Sequence, residues 1–137
     1  MNDNLFVDTN ILVYSVADDI RKRVIAEELL MQDLIVISPQ VISEFVAVTL
    51  RKRILEPTKV TEYARKFLRA FQITVTSAET IAIALEIMTK YRLSYWDSLI
   101  LAAALESSCS VVYSEDLQTG QVIEGRLTIV NPFASAG

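Results

Sequence analysis

Histidine is missing from this 137-residue sequence, and its absence excludes more chemistry than any other feature of the composition. Without it, nucleophilic triads built on Ser-His-Asp or Cys-His pairs are excluded in their usual form. Zinc sites that depend on histidine are excluded as well, and so is metal-free RNA cleavage by a pair of histidines. The acid–base groups that remain are carboxylates, of which the chain has 17 against 13 basic residues.

Cysteine, glycine and proline are scarce. The one cysteine, Cys109, cannot form an internal disulfide, and its place beside an apolar run is typical of a small buried side chain. This cysteine usage suits a reducing cytoplasm. Three glycines and three prolines leave room only for short loops, and the sequence contains no repeat or low-complexity linker. We therefore expect one domain over residues 1–137.

Long apolar runs are also missing, although 52% of the residues are hydrophobic. The longest run covers only residues 99–105, whereas a membrane-spanning helix needs about 20 residues. The polar start of the chain does not resemble a signal peptide. We therefore expect a cytoplasmic protein with no membrane association, whose apolar excess lies in a core or under a partner.

Short apolar runs alternate with helical stretches, a pattern that predicts an α/β fold. The predicted strands cover residues 5–7, 35–37, 73–75, 110–113 and 127–130. Helices are expected from about residue 19, from 38 to about 53, from 58, from a capping-box pattern at 76–79 to about 90, and from 97. Four to five strands with intervening helices predict a mostly parallel sheet covered by helices on both faces.

Two aspartates directly follow predicted strands. Asp8 follows the first strand, and Asp116 lies in the polar segment after the fourth. In open α/β sheets, ligands bind outside the carboxyl ends of the strands, so both side chains are candidates for a site. The alternatives stay open at this point: Asp8 or Asn10 can cap the next helix, and Asp116 can be a turn residue. Its neighbour Glu115 is expected to face solvent.

Two further carboxylates lie on predicted helices near the core. Asp97 opens a helix whose body is apolar on every face, so we expect a buried helix start, where an unpaired carboxylate is costly. Glu44 lies at the border of the apolar face of its helix. The alternatives are that Asp97 only caps its helix and that Glu44 extends from the border to solvent.

Together, the four carboxylates predict a cation site. Acidic groups brought to one place repel each other unless a cation neutralises them. Ligand sets made only of oxygen favour Mg²⁺ or Mn²⁺ over zinc. Magnesium also keeps several waters and binds phosphate oxygens. The expected chemistry is therefore hydrolysis of a phosphodiester by a metal-activated water.

Basic residues are concentrated in one stretch of a chain whose net charge is −4. This basic stretch consists of Arg51, Lys52, Arg53, Lys59, Arg65, Lys66 and Arg69. Its members are candidates for binding an RNA backbone, and the alternative is an ordinary solvated helix face. Among the aromatic residues, Trp96 is expected in the core, and Tyr14 is a candidate groove residue.

The segment from Leu5 to Leu12 resembles the opening strand and Asp-Thr-Asn motif of PIN-domain nucleases, and more narrowly that of VapC-type toxins from bacterial toxin–antitoxin pairs. Further segments match in order at residues 38–44, 95–98, 114–117 and 130–133. The resemblance covers essentially the whole chain. Each motif is short, and their order and spacing make the resemblance specific.

This resemblance implies a PIN fold and an endoribonuclease that depends on Mg²⁺ or Mn²⁺. The family's catalytic and metal-binding acids match Asp8, Glu44, Asp97 and Asp116. By the same resemblance, Asn10 and Ser114 would orient the carboxylates and metal-bound water, and we give Thr9 a mainly structural role. The family typically forms homodimers and is inhibited by a small antitoxin protein whose tail fills the active-site groove. The implied partners are therefore RNA, a small antitoxin and a second copy of the chain.

Three other functions compete with this interpretation. A catalytically silent PIN domain could bind RNA or act as a scaffold, although the complete acidic set argues against it. A phosphoacceptor signalling domain needs a lysine after a late strand, and residues 111–126 contain none. A nuclease acting on structured DNA usually carries larger insertions than 137 residues allow.

Overall fold

The computed structural model describes residues 3–134 and contains one mixed sheet with helices packed against it. The strands of this part of the chain are β1 (Asn4–Val7), β2 (Ile35–Ile37), β3 (Gln72–Ile73), β4 (Cys109–Tyr113), β5 (Val122–Ile123) and β6 (Leu127–Val130). The helices are α1 (Thr9–Tyr14), α2 (Ile20–Leu30), α3 (Pro39–Arg51), α4 (Pro57–Ala70), α5 (Ala78–Tyr91) and α6 (Tyr95–Glu106). The strand order is β3-β2-β1-β4-β6-β5. Every pair is parallel except β5 with β6, so the predicted α/β fold with a mostly parallel sheet is confirmed.

The sheet has one strand more than the four to five that the sequence predicted. The additional strand, β5, has two residues and pairs with β6 through Ile123 and Leu127. The turn between them contains Gly125 at a φ of +68°, a conformation that glycine adopts without a steric penalty. Two residues are too few to produce a periodic signal, which explains why the sequence did not reveal this strand.

The central strands are covered on both faces. Ile35, Val36 and Ile37 are consecutive in β2, and all three are buried. Because successive side chains of a strand point to opposite faces, this burial requires packing on each side of the sheet. The predicted covering of both faces by helices is therefore confirmed.

The polar residues after β1 begin a short helix that was not among the helices expected from the sequence. Helix α1 has six residues and begins immediately after Asp8, whose side chain accepts a hydrogen bond from the Thr9 amide. The cap role left open for Asp8 is thus present in the structure. Six residues make fewer than two turns, so no helical periodicity could appear in the sequence.

Two helices begin at residues other than those expected. Helix α6 is capped by Ser94, whose Oγ accepts from the Asp97 amide at 3.1 Å, so Asp97 lies in the first turn and does not open the helix. Helix α5 is capped by Ser77 and Thr80, which exchange hydrogen bonds between hydroxyl and amide, and not by the predicted pair at 76 and 79. In both helices a serine hydroxyl satisfies amides of the first turn.

The body of α6 is buried, as the sequence predicted, but its start is not. Residues 98–105 are all buried, and the helix packs against α5 and β4. Asp97 is half-buried, whereas the Trp96 side chain is 62% exposed. The expectations of a buried helix start and of a core position for Trp96 are therefore wrong, because the apolar run begins only after Asp97. Between residues 3 and 134, no helix is long and apolar enough to span a membrane.

Candidate active site

The carboxyl ends of β1 and β4 place two predicted site residues side by side. The strands are parallel neighbours, and Val7 is in register with Tyr113. Asp8 and Ser114 are therefore the first residues beyond the two strands, although 106 positions separate them. The Ser114 hydroxyl donates to Oδ2 of Asp8 at 2.7 Å, and the Thr9 amide donates to Oδ1 at 2.7 Å. Both carboxylate oxygens of Asp8 are thus held in fixed directions.

The environment of Asp8 opposes its negative charge. Burial raises the pKa of Asp8 to about 6. The hydrogen bonds from Ser114 and Thr9 act in the opposite direction, and the charges of Glu44 and Asp116 raise the pKa further. A carboxylate that is destabilised by burial and by like charges binds a cation favourably, because the cation removes both penalties.

Glu44 reaches the site from α3. Its Oε2 accepts from the Thr9 hydroxyl at 2.9 Å, and its Oε1 accepts from Nε2 of Gln40 at 2.9 Å. Thr9 therefore contacts Asp8 through its amide and Glu44 through its hydroxyl, which is a larger part than the mainly structural role expected. Gln40 was missed by the sequence analysis; its spacing of four from Glu44 on one helix face was the available signal.

Asp116 lies in the segment after β4 and is exposed. Nδ2 of Asn10 donates to Oδ2 of Asp116 at 3.3 Å and lies 3.5 Å from the Ser114 hydroxyl. Oδ1 of Asn10 accepts from the Glu115 amide at 3.2 Å. Asn10 and Ser114 thus contact Asp116 and Asp8, two of the four candidate carboxylates.

Asp97 lies in the first turn of α6, and the backbone of its neighbour Trp96 contacts Gln40. Nε2 of Gln40, which holds Glu44, also lies 3.2 Å from the carbonyl oxygen of Trp96. The hydrogen bonds found in residues 3–134 link Asp97 to Glu44 only through Gln40 and the neighbouring Trp96. The structure therefore brings Glu44 and Asp116 near Asp8, and it connects Asp97 to this group only through the contact between Gln40 and Trp96.

The donor set fits a hard divalent cation. All four candidate side chains offer carboxylate oxygens, the ligands that Mg²⁺ and Mn²⁺ prefer. Within residues 3–134, no three carboxylate, histidine or cysteine side chains are close enough to hold a metal by themselves. Magnesium usually binds through one or two carboxylates together with waters and substrate phosphates, so this looser arrangement is compatible with it.

A groove of about 360 Å³ opens beside the acidic residues. Its polar lining residues include Thr9, Asn10, Glu44 and Asp116, and its apolar lining residues include Val13, Val48 and Ile54. Tyr14 lines the groove, as the sequence suggested, and Lys52 is the predicted basic residue that reaches it. The groove therefore combines acidic, basic and apolar side chains beside the candidate site.

The basic stretch does not form one surface with this groove. Lys59 pairs with Glu62 on the same helix at 3.2 Å. Lys66 lies 5.9 Å from the centroid of the Tyr63 ring and lines a separate groove between α2 and α4. Arg51, Arg53, Arg65 and Arg69 are exposed. Of the seven candidate RNA-binding residues, Lys52 is thus the one that the structure places beside the carboxylates.

Glu115 is not the solvent-facing residue that the sequence predicted. Its carboxylate accepts from Lys22 Nζ at 2.5 Å and from the Tyr14 hydroxyl at 2.6 Å. Partial burial opposes its charge, but these two donors keep the pKa of Glu115 below its usual value. The hydrogen bonds to Glu115 and Tyr14 raise the pKa of Lys22 to about 12. Lys22, on α2, had no signal in the sequence because its partner is 93 positions away.

The comparisons with known proteins agree with this architecture. A family model described as "PIN domain" matches residues 5–122. A solved toxin–antitoxin complex from Klebsiella pneumoniae contains a chain that is 21% identical, with a TM-score of 0.70, and the match covers 94% of this chain and 97% of that one. A search of curated proteins finds no significant match.

Two further solved structures share the fold at low identity. VapC20 of Mycobacterium tuberculosis, described as a sarcin–ricin loop cleaving toxin, is 16% identical with a TM-score of 0.69, covering 82% of this chain and 90% of that one. VapBC2 of Rickettsia felis, bound to a DNA fragment from its promoter, is 19% identical with a TM-score of 0.62, covering 82% and 87%. At these identities the likeness establishes the fold.

Proposed function

The chain belongs to the PIN domain family, and from this membership we propose that it is an endoribonuclease that hydrolyses RNA phosphodiester bonds with Mg²⁺ or Mn²⁺. The observation that carries the proposal is the meeting of Asp8, Glu44 and Asp116 at the carboxyl edge of the sheet, where Asp8 is 7% exposed. A buried carboxyl such as Asp8, whose pKa is raised by burial and by the charges of two neighbouring acids, is unfavourable for stability alone. Such an arrangement is typical of a functional site.

We propose that Asp8, Glu44, Asp97 and Asp116 hold the metal, and that Asn10 and Ser114 keep their carboxylates oriented. When bound, the metal supplies an activated water and neutralises charge on the phosphate. Ser114 and Thr9 prevent Asp8 from rotating, which lowers the reorganisation needed when substrate binds. Gln40 and Thr9 do the same for Glu44. The exposed Asp116 is the acid that solvent and substrate reach most easily.

The groove beside the acids supports binding of a single RNA strand. Its apolar wall accommodates a ribose or base, and Lys52 is placed to contact a phosphate near the site. The remaining basic residues lie at the end of α3, in the turn after it and on α4. We propose for them at most a contribution to long-range attraction of RNA.

We also propose that the protein is a cytoplasmic toxin that a small antitoxin neutralises, and that it works as a homodimer. The similar solved structures include toxin–antitoxin complexes, which supports this assignment at the level of fold. Exposed apolar side chains such as Ile81 and Leu85 on α5 are suited to burial against a second protein. A silent RNA-binding module remains the alternative, and the grouped acids argue against it.

The decisive experiment is cleavage of a mixed RNA pool by the antitoxin-free protein with Mg²⁺, with Mn²⁺ and with EDTA. Asp8→Asn removes the charge and keeps the shape, and Asp33→Asn, an exposed aspartate at the other end of the sheet, is the matched control. We expect cleavage that needs metal and Asp8, survives in Asp33→Asn, and leaves 5′-phosphate and 3′-hydroxyl ends. Full activity of folded Asp8→Asn, or of the wild type in EDTA, would contradict the proposal.

A further inference from the structure

A second group of charged side chains lies next to the acidic site without belonging to it. Glu115 accepts from Lys22 at 2.5 Å and from Tyr14 at 2.6 Å, and Lys22 donates to the Tyr14 hydroxyl at 3.1 Å. Glu115 comes from the segment after β4, Tyr14 from α1 and Lys22 from α2. The three residues therefore join three separate elements at one point.

This group differs from the other ion pairs found in residues 3–134. Arg23–Glu27 and Lys59–Glu62 lie within single helices, and Lys90–Glu124 joins α5 to the turn before β6. The side chains of these three pairs are 41% to 66% exposed. The side chains of Lys22 and Glu115 are each 25% exposed. Exposed pairs contribute little to stability, whereas a partly buried pair with an additional hydrogen bond restrains its partners more strongly.

Two aromatic rings pack against the ammonium group of Lys22. The rings of Tyr14 and Phe133 meet edge to face with centroids 4.9 Å apart. Nζ of Lys22 lies 4.6 Å from the Tyr14 centroid and 5.7 Å from the Phe133 centroid. Arg21, the neighbour of Lys22, donates to the Phe133 carbonyl oxygen at 2.7 Å. The ammonium of Lys22 is thus held in one position by packing as well as by charge.

Glu115 lies between two residues of the acidic site, so its contact with Lys22 also restrains their backbone. Glu115 lies between Ser114, which donates to Asp8, and Asp116, which is exposed and accepts from Asn10 at 3.3 Å. The Ser114 hydroxyl also accepts from the amides of Asp116 and Leu117, at 3.2 and 3.4 Å. The direction of this short segment therefore depends on where Glu115 is anchored.

We propose that Lys22 is a positioning residue of the acidic site. Acting through Glu115 and together with Tyr14, it holds the segment 114–117 so that Ser114 and Asp116 face Asp8. Lys22 does not touch the substrate or the metal in this assignment. The inference rests on the proposed function only where metal affinity or nuclease activity is the readout, because the restraint on the segment exists in the metal-free protein.

The test uses Lys22→Met, which removes the ammonium and keeps an apolar chain against the aromatic rings, with Glu115→Gln and the double variant. Lys90→Met is the matched control, because Lys90 pairs with Glu124 at 3.1 Å between two other elements. The first readout is amide hydrogen exchange at Asp116 and Leu117 without metal. We expect exchange to become about fivefold faster in Lys22→Met, as loss of a partly buried ion pair predicts, and to stay unchanged in the control.

The second readout is Mn²⁺ affinity measured by calorimetry or electron paramagnetic resonance. We expect it to fall about 10-fold in Lys22→Met, as is typical for residues that orient metal ligands. If RNA cleavage is found, kcat at saturating metal falls and KM for RNA is largely unchanged. The double variant is no worse than either single variant, because both act through one contact.

The inference is overturned if folded Lys22→Met keeps wild-type exchange at Asp116 and Leu117. It is equally overturned if the two single variants lower Mn²⁺ affinity independently and additively. A wild-type protein that cleaves no RNA refutes the proposed nuclease function alone, and the exchange measurement still decides the role of Lys22.

Discussion

The acidic edge is the end of the sheet where Asp8, Glu44 and Asp116 meet. It differs from the basic stretch in how closely separation along the sequence matches proximity in the fold. The four acids are separated by up to 108 positions, yet the parallel sheet brings Asp8 and Asp116 together through a shared neighbour, Ser114. The basic residues lie within 19 consecutive positions, and the fold places only one of them, Lys52, in the groove. A charge cluster in the sequence is therefore a weaker guide to a site than the ends of adjacent strands.

The largest effect on activity is expected from a substitution of Asp97. Asp97→Asn should reduce RNA cleavage at least about 100-fold, because a positioned charge that acts in the transition state is removed. The measurement is kcat on a defined RNA, with Glu106→Gln at the exposed end of the same helix as control. Activity within a few-fold of wild type in Asp97→Asn would place Asp97 outside the site.

Stability at different pH values tests the electrostatics of the acidic edge without any substrate. The pKa of Asp8 is about 6 in the folded protein, against 3.8 for an unperturbed aspartate, so the folded state binds the proton more tightly than the unfolded chain does. The contribution of Asp8 to the free energy of unfolding should therefore be most favourable below pH 4. It should be lost as pH rises through 6. Relative to Asp8→Asn, the decrease should amount to roughly 3 kcal/mol at most.

Chemical denaturation of wild type and Asp8→Asn between pH 4 and 7.5, both in EDTA, measures this difference. We expect the stability of Asp8→Asn to increase relative to that of the wild type as pH rises. When Mn²⁺ replaces EDTA, we expect it to stabilise only the wild type. Parallel stability curves for the two proteins would show that Asp8 ionises normally in the fold.

Gln40 sharpens the comparison because it joins Glu44 to the first turn of α6. Gln40→Ala removes the hydrogen bonds to Glu44 and to the Trp96 carbonyl. We expect activity or metal affinity to fall about 10-fold, the lower end of the effect seen when groups that orient ligands are removed. Gln32→Ala, an exposed glutamine beyond α2, is the control, and equal activities of the two variants would remove Gln40 from the site.

The smallest effect concerns the basic stretch. Lys52→Ala should raise KM for RNA several-fold and lower the slope of log affinity against log salt by about 0.7, as loss of one phosphate contact on a single strand predicts. Lys59→Ala should change neither quantity, because Lys59 pairs with Glu62 away from the groove. Identical effects of the two substitutions would mean that the stretch acts only through its summed charge.

Much of the fold could be predicted from local signals. Buried runs such as 35–37 predicted strands, and Ser38 followed by Pro39 predicted the start of α3 correctly. Short elements could not be predicted, since α1 and β5 have too few residues to show a period. The exposure of Trp96 was mispredicted because an aromatic residue beside an apolar run looks like part of it.

The sequence by itself determined the chemistry that remains open to this protein: no histidine, a set of carboxylates at strand ends, and motifs typical of a PIN domain. Only the tertiary structure decided which side chains meet. Pairing of β1 with β4 brings Ser114 to Asp8, and packing of α2 beside α1 brings Lys22 to Glu115. The physical reason is that backbone capping and hydrophobic periodicity act over a few residues, whereas contacts between distant residues depend on the order of the strands in the sheet.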